Sequence, residues 1–342
     1  MKLSEASKKL KITGRGTARL KWGIAGCGAY AERTFLPTLQ MLKKSRLVSV
    51  FSSDVSRAKF IADKFAAQKA YSDFDEFLKS DIDVVYISSK NSDHYWQVIK
   101  AAEAGKHILC EKPLALNSKE AADMIKACEK NNVFLSINYV YRFHPLVIKA
   151  KELIRNELIG KIISITASYN IKLPPSGNFR YKKEQSGGGA LRDLGTHVID
   201  LLRYFGGEIS DITGYYDNVI YNSEVDDFAA GIVRFEKSGY GIFNVSYNSE
   251  KAFNRIEIIG YKGTIAIENL IAKKHITPKL VIDLIGENKK AFRKRTPKLT
   301  PLLKEFQNSI VKGIQPKPTG QDGLLNMEIM EKFEKQNKKR KS

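Results

Sequence analysis

Short apolar runs alternate with helix-period segments from residue 21 onward. Lys21–Ala25, Leu47–Phe51, Asp83–Ser88, His107–Cys110 and Val133–Asn138 are brief, rich in β-branched residues and bounded by polar residues or glycine, as buried strands are. Between them, segments at about 31–44, 56–68, 93–105 and 118–131 carry apolar residues at helical spacing. Such alternation predicts a doubly wound parallel sheet with helices on both faces.

Beyond about residue 145 the pattern changes. A helical stretch near 145–158 leads into longer alternating strands at Ile162–Ile171, Ile212–Val219, Asp227–Phe235, Gly239–Ser249, Arg255–Gly260 and Thr264–Glu268. Phe228–Phe235 followed by Lys237-Ser-Gly239 reads as a hairpin. Consecutive strands with one helix among them, near 190–205, predict an α+β domain with a mostly antiparallel, open sheet. Two helices, near 300–313 and 321–337, close the pattern. The fold class is therefore α/β, in two domains.

Composition narrows the class. Of 342 residues, 43% are apolar and 27% charged, as in a globular chain rather than a disordered one. No stretch approaches the ~18 uncharged apolar residues of a membrane span. The basic N-terminus lacks the apolar core of a secretory signal, so a cytoplasmic protein is expected. Cys27, Cys110 and Cys128 are too few for a disulfide framework and read as buried thiols, Cys27 as a small filler in a turn. His94, His107, His144, His197 and His275 show no ligand spacing with Cys or acids, so no metal is expected.

The net charge of +20 would suggest a nucleic-acid partner, but its distribution removes most of that force. Residues 1–21 carry +6 and residues 272–342 carry +11, leaving +3 for the 250 residues between. No basic face with interleaved aromatic or helical readout elements is evident in that middle, so no nucleic-acid or membrane partner is expected.

Gly26-Cys27-Gly28-Ala29-Tyr30-Ala31 follows the first strand and opens the first helix, fitting G-x-G-x-x-G/A. Gly26 permits a tight turn, Gly28 lets the backbone approach a pyrophosphate, and the helix N-terminus attracts the anion. The second strand ends Phe51-Ser52-Ser53-Asp54. Ser52 stands where an acid would hold the adenosine ribose 2′-hydroxyl; Ser53 offers a donor and Arg57 a counter-charge. These residues favour NADP slightly over NAD. Asp54 leaves both open, and also reads as the N-cap of the next helix.

Three motifs resemble the glucose–fructose oxidoreductase/inositol dehydrogenase/MocA family of NAD(P)-dependent oxidoreductases. They are Gly23-Ile-Ala-Gly-Cys-Gly28, then Ala104-Gly-Lys-His-Ile-Leu-Cys-Glu-Lys-Pro113, then Gly187-Gly-Gly-Ala-Leu-Arg-Asp-Leu-Gly-Thr-His-Val-Ile-Asp200. The resemblance runs over about 20–335 and includes Asn138–Pro145 and Glu257–Thr264. It implies a Rossmann domain (21–142) and a substrate and oligomerisation domain (143–335), and the charge pattern sets a basic leader (1–20) and a basic tail (336–342) on either side. Homodimers or homotetramers built through the open sheet are implied as well. Where the family shows Thr-Pro-Asn after its third strand, this chain reads Ser89-Lys90-Asn91. Lys90 adds a cation that either reaches cofactor or substrate or points to solvent. His94 matches the family's loop, and either touches the cofactor or starts a helix.

Hydride transfer from an alcohol carbon needs a base for the hydroxyl proton and a donor or cation for the developing negative charge. The resemblance maps Lys112, Asp193 and His197 onto the family's catalytic lysine, aspartate and histidine. His197 suits a general acid–base near neutrality, Lys112 the oxygen, and Asp193 the orientation of the pair. Glu111 is expected to anchor Lys112 or reach the nicotinamide end. Tyr139, Arg142, Tyr169, Lys172, Arg180 and Tyr181 offer hydroxyls and cations to a sugar or polyol. The reading is an NAD(P)-dependent dehydrogenase or reductase acting on a sugar, cyclic polyol or nucleotide sugar. The alternative is a non-catalytic NAD(P)-binding sensor.

Overall fold

The computed structural model describes residues 19–271, 276–297 and 299–341, except the side chains of 338–341. His275, the leader up to residue 18 and the tail side chains from 338 lie outside the described residues. The described residues divide into two compact units, one within 19–138 and 299–324, the other within 139–297 and 325–341.

The first unit holds a six-stranded sheet of β1 (Leu20–Ala25), β2 (Ser45–Phe51), β3 (Lys69–Tyr71), β4 (Val84–Ile87), β5 (His107–Cys110) and β6 (Leu135–Ile137). The order is β3-β2-β1-β4-β5-β6, and every pairing is parallel. Its helices are α1 (Leu36–Gln40), α2 (Val55–Phe65), α3 (Phe74–Leu78), α4 (Asn91–Glu103) and α5 (Ser118–Lys130). Five strands are expected from sequence. The sixth, β3, is three residues long with no fully buried position, too short for periodicity to register. The helix expected at 31–44 is shorter and opens with a π-helical turn, Ala31–Phe35, in which the Leu36 N–H reaches back five residues to Ala31. Pro37 lacks the N–H that would continue an α-ladder there.

The second unit contains α6 (Pro145–Arg155), α7 (Lys183–Ser186) and α8 (Thr196–Gly206). Its strands are β7 (Ile162–Lys172), β8 (Ile209–Asp217), β9 (Phe228–Phe235), β10 (Tyr240–Ser246), β11 (Asn248–Gly260), β12 (Gly263–Glu268), β13 (Lys279–Leu284) and β14 (Lys290–Arg293). The eight strands form one sheet, β14-β13-β12-β11-β7-β10-β9-β8, antiparallel except where β10 lies parallel to β7. The hairpin expected after Phe235 is β9–β10. Strands β13 and β14 are absent from the sequence expectation; β14 is exposed along its whole length and shows no apolar alternation. Burial alternates along β9, and α8 packs on β7 and β10. Exposed Ile163, Tyr215, Ile232, Tyr240, Ile242, Phe253 and Ile259 are carried on strands β7 to β11.

Two helices remain, α9 (Thr300–Lys312) and α10 (Gly320–Lys341). The sequence reading places all of 143–335 in the second domain, yet 299–324 packs with the first unit. The reason is a set of partners too distant in sequence to foresee. Phe306 meets the buried Trp22 ring at 5.3 Å, Ser45 Oγ donates to Gln307 Oε1 at 2.7 Å, and Ser136 Oγ donates to the Pro318 carbonyl at 2.6 Å. Among the described residues no helix is long and apolar enough to cross a membrane.

His107 heads β5, where its Nδ1 accepts from the Phe134 N–H at 3.1 Å and its ring stacks on Phe134. Burial pushes its pKa down from 6.5 to about 4. Between those values the unfolded chain binds a proton that the folded chain refuses, so stability falls as pH drops through that window. His107→Asn should remove this term. The urea-unfolding difference between wild type and variant should shift by about 2–3 kcal/mol between pH 7 and pH 4, and a pH-independent difference would overturn the assignment.

Candidate active site

In the first unit the relevant loops all leave the carboxyl edge of one parallel sheet, where open α/β sheets bind ligands. The strand order reverses between β1 and β4, and their loops meet there. Gly26 has φ +95°, and a Cβ on it would lie 2.4 Å from the Ser89 N. Ser88 Oγ donates to the Gly26 carbonyl at 2.8 Å. A Cβ on Gly28, by contrast, would meet nothing within 4 Å. The open space at Gly28, above the first turn of a helix, is the concavity a pyrophosphate needs, so the residues present fit a dinucleotide. Ala31 is fully buried and lets that helix lie close to the sheet.

At the tip of β2, Ser52 and Ser53 present hydroxyls. Asp54 has turned to cap α2, accepting from the Ser56 N–H at 2.9 Å and the Arg57 N–H at 3.2 Å. Arg57 Nε donates to the Cys27 carbonyl at 2.8 Å, and its guanidinium pairs with Glu32. Glu32 also takes Lys64, and these two cations hold its carboxyl down to about 2. The Cys27 thiol is pushed up to about 11 by burial, which makes it an inert filler. Tyr30, three residues on, is exposed.

The β4 loop delivers Ser89, Lys90 and Asn91. Ser89 Oγ donates to Gln97 Oε1 at 2.6 Å, Lys90 is exposed at the start of α4, and Asn91 is buried. His94 departs from the cofactor-contact reading. It is 0% exposed, and its Nδ1 sits 3.0 Å from the Pro113 carbonyl. Burial pushes its pKa down. His94 therefore holds the Lys112–Pro113 turn from behind. Glu111 lies beneath the same turn, accepting from the Tyr86 hydroxyl, the Asn138 side chain and, at 3.3 Å, the Lys112 N–H. Burial pushes the Glu111 carboxyl up, against the pull of these donors. Lys112 itself is half-buried.

In the second unit, a π-helical turn (Leu191–Gly195) carries Asp193 and runs directly into α8, whose second residue is His197. At 8% exposure His197 sits among three phenol rings, with Tyr141 at 4.8 Å, Tyr169 at 6.4 Å and Tyr139 at 6.5 Å between centroids. Asp193 Oδ2 accepts from Tyr247 Oη at 2.9 Å and Arg180 Nε at 3.1 Å, which fixes the carboxylate as an acceptor. The turn before it is clamped by buried Asp226, which accepts from the Gly189 N–H at 2.9 Å and the Leu191 N–H at 2.8 Å. Burial raises the Asp226 carboxyl to about 6.

The six residues proposed from sequence for substrate separate here. Tyr169 and Arg180 lie at His197 and Asp193, as just described. Tyr139 is 1% exposed with its hydroxyl 3.0 Å from Thr196 Oγ1, and the Tyr181 hydroxyl donates to the Leu173 carbonyl. Lys172 is exposed and paired with Glu250. Arg142 grips the buried Asp200 carboxylate with two nitrogens, Nη2 at 2.6 Å and Nε at 3.0–3.1 Å. Tyr139 and Arg142 are thus framework residues, because pairing across nearly 60 residues has absorbed their polar groups. Tyr247, Asp226, Tyr86 and Asn138 are missed from sequence; no local motif marks a donor that meets a distant carboxylate, as Tyr247, Tyr86 and Asn138 do, or a carboxylate that clamps a distant backbone turn, as Asp226 does.

Two family models match. "Oxidoreductase family, NAD-binding Rossmann fold" covers 20–139, and "GFO/IDH/MocA C-terminal domain" covers 147–266. The chain is 26% identical to 1,5-anhydro-D-fructose reductase of Ensifer adhaerens, over 90% of this chain and 93% of that protein. It is 30% identical to trans-1,2-dihydrobenzene-1,2-diol dehydrogenase of Mus musculus, over 74% and 76%. With D-xylose 1-dehydrogenase (NADP(+)) 2 of Haloferax volcanii the identity is 32%, but the match spans only 54% of this chain and 57% of the relative's length. Among solved structures, aldose-aldose oxidoreductase from Caulobacter crescentus complexed with glycerol superposes with a TM-score of 0.87 at 25% identity, covering 94% of this chain and 98% of that one. Levoglucosan dehydrogenase in complex with NADH gives 0.84 at 25%, covering 94% and 97%.

Arg142→Gln tests the framework role. It leaves Asp200, whose side chain is 2% exposed, without its guanidinium. Loss of one partner of a buried pair costs about 3 kcal/mol or more. Urea unfolding should show that loss; unchanged stability would return Arg142 to the substrate.

Proposed function

The chain belongs to the GFO/IDH/MocA family of NAD(P)-dependent oxidoreductases, and on that premise we propose that it moves hydride between a nicotinamide cofactor and a hydroxyl or keto carbon of a sugar, cyclic polyol or nucleotide sugar. The observation that carries this reading is the carboxyl edge of the first sheet. One edge presents the Gly26–Gly28 loop, the Ser52–Ser53 tip and the Lys112 turn, so phosphate, ribose and reacting-group functions fall along a single rim.

The cofactor, when bound, supplies or accepts the hydride. Gly26, Cys27, Gly28, Ala29 and Tyr30 face its pyrophosphate. Ser52, Ser53 and Arg57 face the adenosine ribose, and Ser89, Lys90, Asn91 and Glu111 the nicotinamide side. The absence of an acid from the ribose position favours NADP modestly. Lys112 holds the reacting oxygen, and its ammonium offsets negative charge as the C–O bond changes order. His197 takes the hydroxyl proton at an imidazole nitrogen during oxidation and returns it during reduction. Asp193, already gripped by Tyr247 and Arg180, presents a fixed negative charge to that exchange and orients its partners. Tyr169 and Arg180 border the substrate. A sensor would need the cofactor loop but neither a base nor an oxygen-holding cation, and the presence of Lys112, Asp193 and His197 supports the enzyme.

The exposed apolar residues of the second sheet support a second copy of the chain as partner, in a homodimer or homotetramer. Cytoplasmic residence accords with three buried free cysteines, unpaired as thiols are in a reducing compartment.

NADH and NADPH fluorescence should respond to the protein at micromolar concentration, and absorbance at 340 nm should change with a member of a panel of polyols, aldoses and nucleotide sugars. His197→Asn should lower kcat by about 10²-fold or more while leaving cofactor Kd unchanged. Full turnover in that variant would remove His197 from the proton transfer. Separately, Ile232→Lys with Ile242→Glu should reduce the mass measured by light scattering to that of a single chain, and an unchanged mass would move the interface elsewhere.

A further inference from the structure

The Arg57 and Lys64 cations stand beside the phosphate loop and are both held by one carboxylate. Glu32 lies in the first turn after that loop, where its N–H donates to the Gly28 carbonyl at 3.0 Å. Its side chain is 16% exposed. One oxygen pairs with Arg57 Nη2 and the other with Lys64 Nζ at 2.6 Å. Arg57 is anchored a second time, through Nε, on the Cys27 carbonyl of the loop itself. Both cations also lie over the Phe60 ring, at 5.2 Å and 5.5 Å, so neither swings free. No acid takes their place at the tip of β2, because Asp54 is committed to capping α2.

We propose that Glu32 sets the preference between NAD and NADP, acting as an internal anion on the two cations that would otherwise pair with a 2′-phosphate. The inference rests on the dinucleotide reading of the loop and goes beyond it by naming the discriminating residue. A 2′-phosphate arriving at the β2 tip needs a guanidinium or ammonium. In this chain it must share Arg57 and Lys64 with a carboxylate tethered alongside them. A tethered competitor acts at high effective concentration, so it is displaced only at a cost to affinity. A cofactor with a free 2′-hydroxyl asks nothing of those cations, and its affinity is indifferent to Glu32. The slight NADP preference expected from Ser52 is therefore held down by Glu32.

Glu32→Gln preserves shape and removes the charge. By fluorescence titration, NADPH should bind about tenfold more tightly to this variant, the scale of one charge-assisted hydrogen bond made available. The Kd for NADH should stay within about twofold. Competition by 2′,5′-ADP should strengthen in parallel, and competition by ADP should not. Adding Arg57→Met to the Glu32→Gln chain should abolish the gain, and added salt should shrink it. Equal shifts for NADH and NADPH, or no shift for either, overturn the proposal. Binding of neither dinucleotide by the wild-type chain overturns the dinucleotide reading itself, and this inference with it.

Discussion

A carboxylate taken out of water must be met by donors, and in this protein that requirement places most of the residues of the candidate site. Glu111 is met by Tyr86 and Asn138, Asp193 by Tyr247 and Arg180, Asp200 by Arg142. Asp226 and Asp227 are met by backbone N–H groups, those of Gly189 and Leu191 for the first and of Val219, Ile220 and Tyr221 for the second. Apart from the Asp227 set, whose donors lie six to eight residues before it, each partner set draws together segments tens of residues apart. The cost of leaving any of these anions unmatched is several times that of losing a surface ion pair, so the segments are fixed relative to one another within their unit. Lys112 sits over one such anion and His197 follows another by four residues. The side chains to which we assign the chemistry, Lys112 and His197, are thus held indirectly, by the pairing of neighbouring groups.

This explains which parts of the molecule were legible in sequence. The Gly26–Ala31 loop, the strand–helix alternation and the β9–β10 hairpin are local, and period, glycine position and turn residues write them directly into adjacent positions. Strands β3 and β14 are short and carry no buried alternation, so their identity comes from a neighbour strand rather than from their own residues. Residues 299–324 return to the first unit through Phe306, Gln307 and Pro318, whose partners lie more than 180 positions away. Arg142 and Tyr139 look from sequence like substrate groups because a cation and a phenol suit a sugar. Only the fold reveals that Asp200 and Thr196 are already bonded to them.

Two of the helices next to candidate site residues have a π-helical turn, Ala31–Phe35 after the Gly26–Gly28 loop and Leu191–Gly195 through Asp193. In the first, Pro37 supplies the cause. A wide turn offsets the following helix against the loop before it without a break in the chain, and such turns concentrate at functional positions. In the second, Asp226 fixes the entry while Tyr247 and Arg180 fix the carboxylate within the turn, so the unusual geometry is held at both points. The spacing of Asp193 and His197 survives because four residues still return close to the same side of a wide turn. A sequence reading that assumes an ordinary α-helix therefore reaches the right pairing for a slightly different geometric reason.

The net charge of +20 gives little guidance to what the protein binds, and the β2 tip shows why. Charge in physiological salt acts over about 8 Å, so an excess of lysines at the chain ends says little about the field at a particular ribose. What a ligand meets is the local balance, and there one carboxylate holds two cations, leaving a single net positive charge fixed against the phosphate loop. The same chain could carry +20 or zero and present that same triad. An anion arriving at that tip would therefore meet pairs already made, which is the premise of the Glu32 proposal.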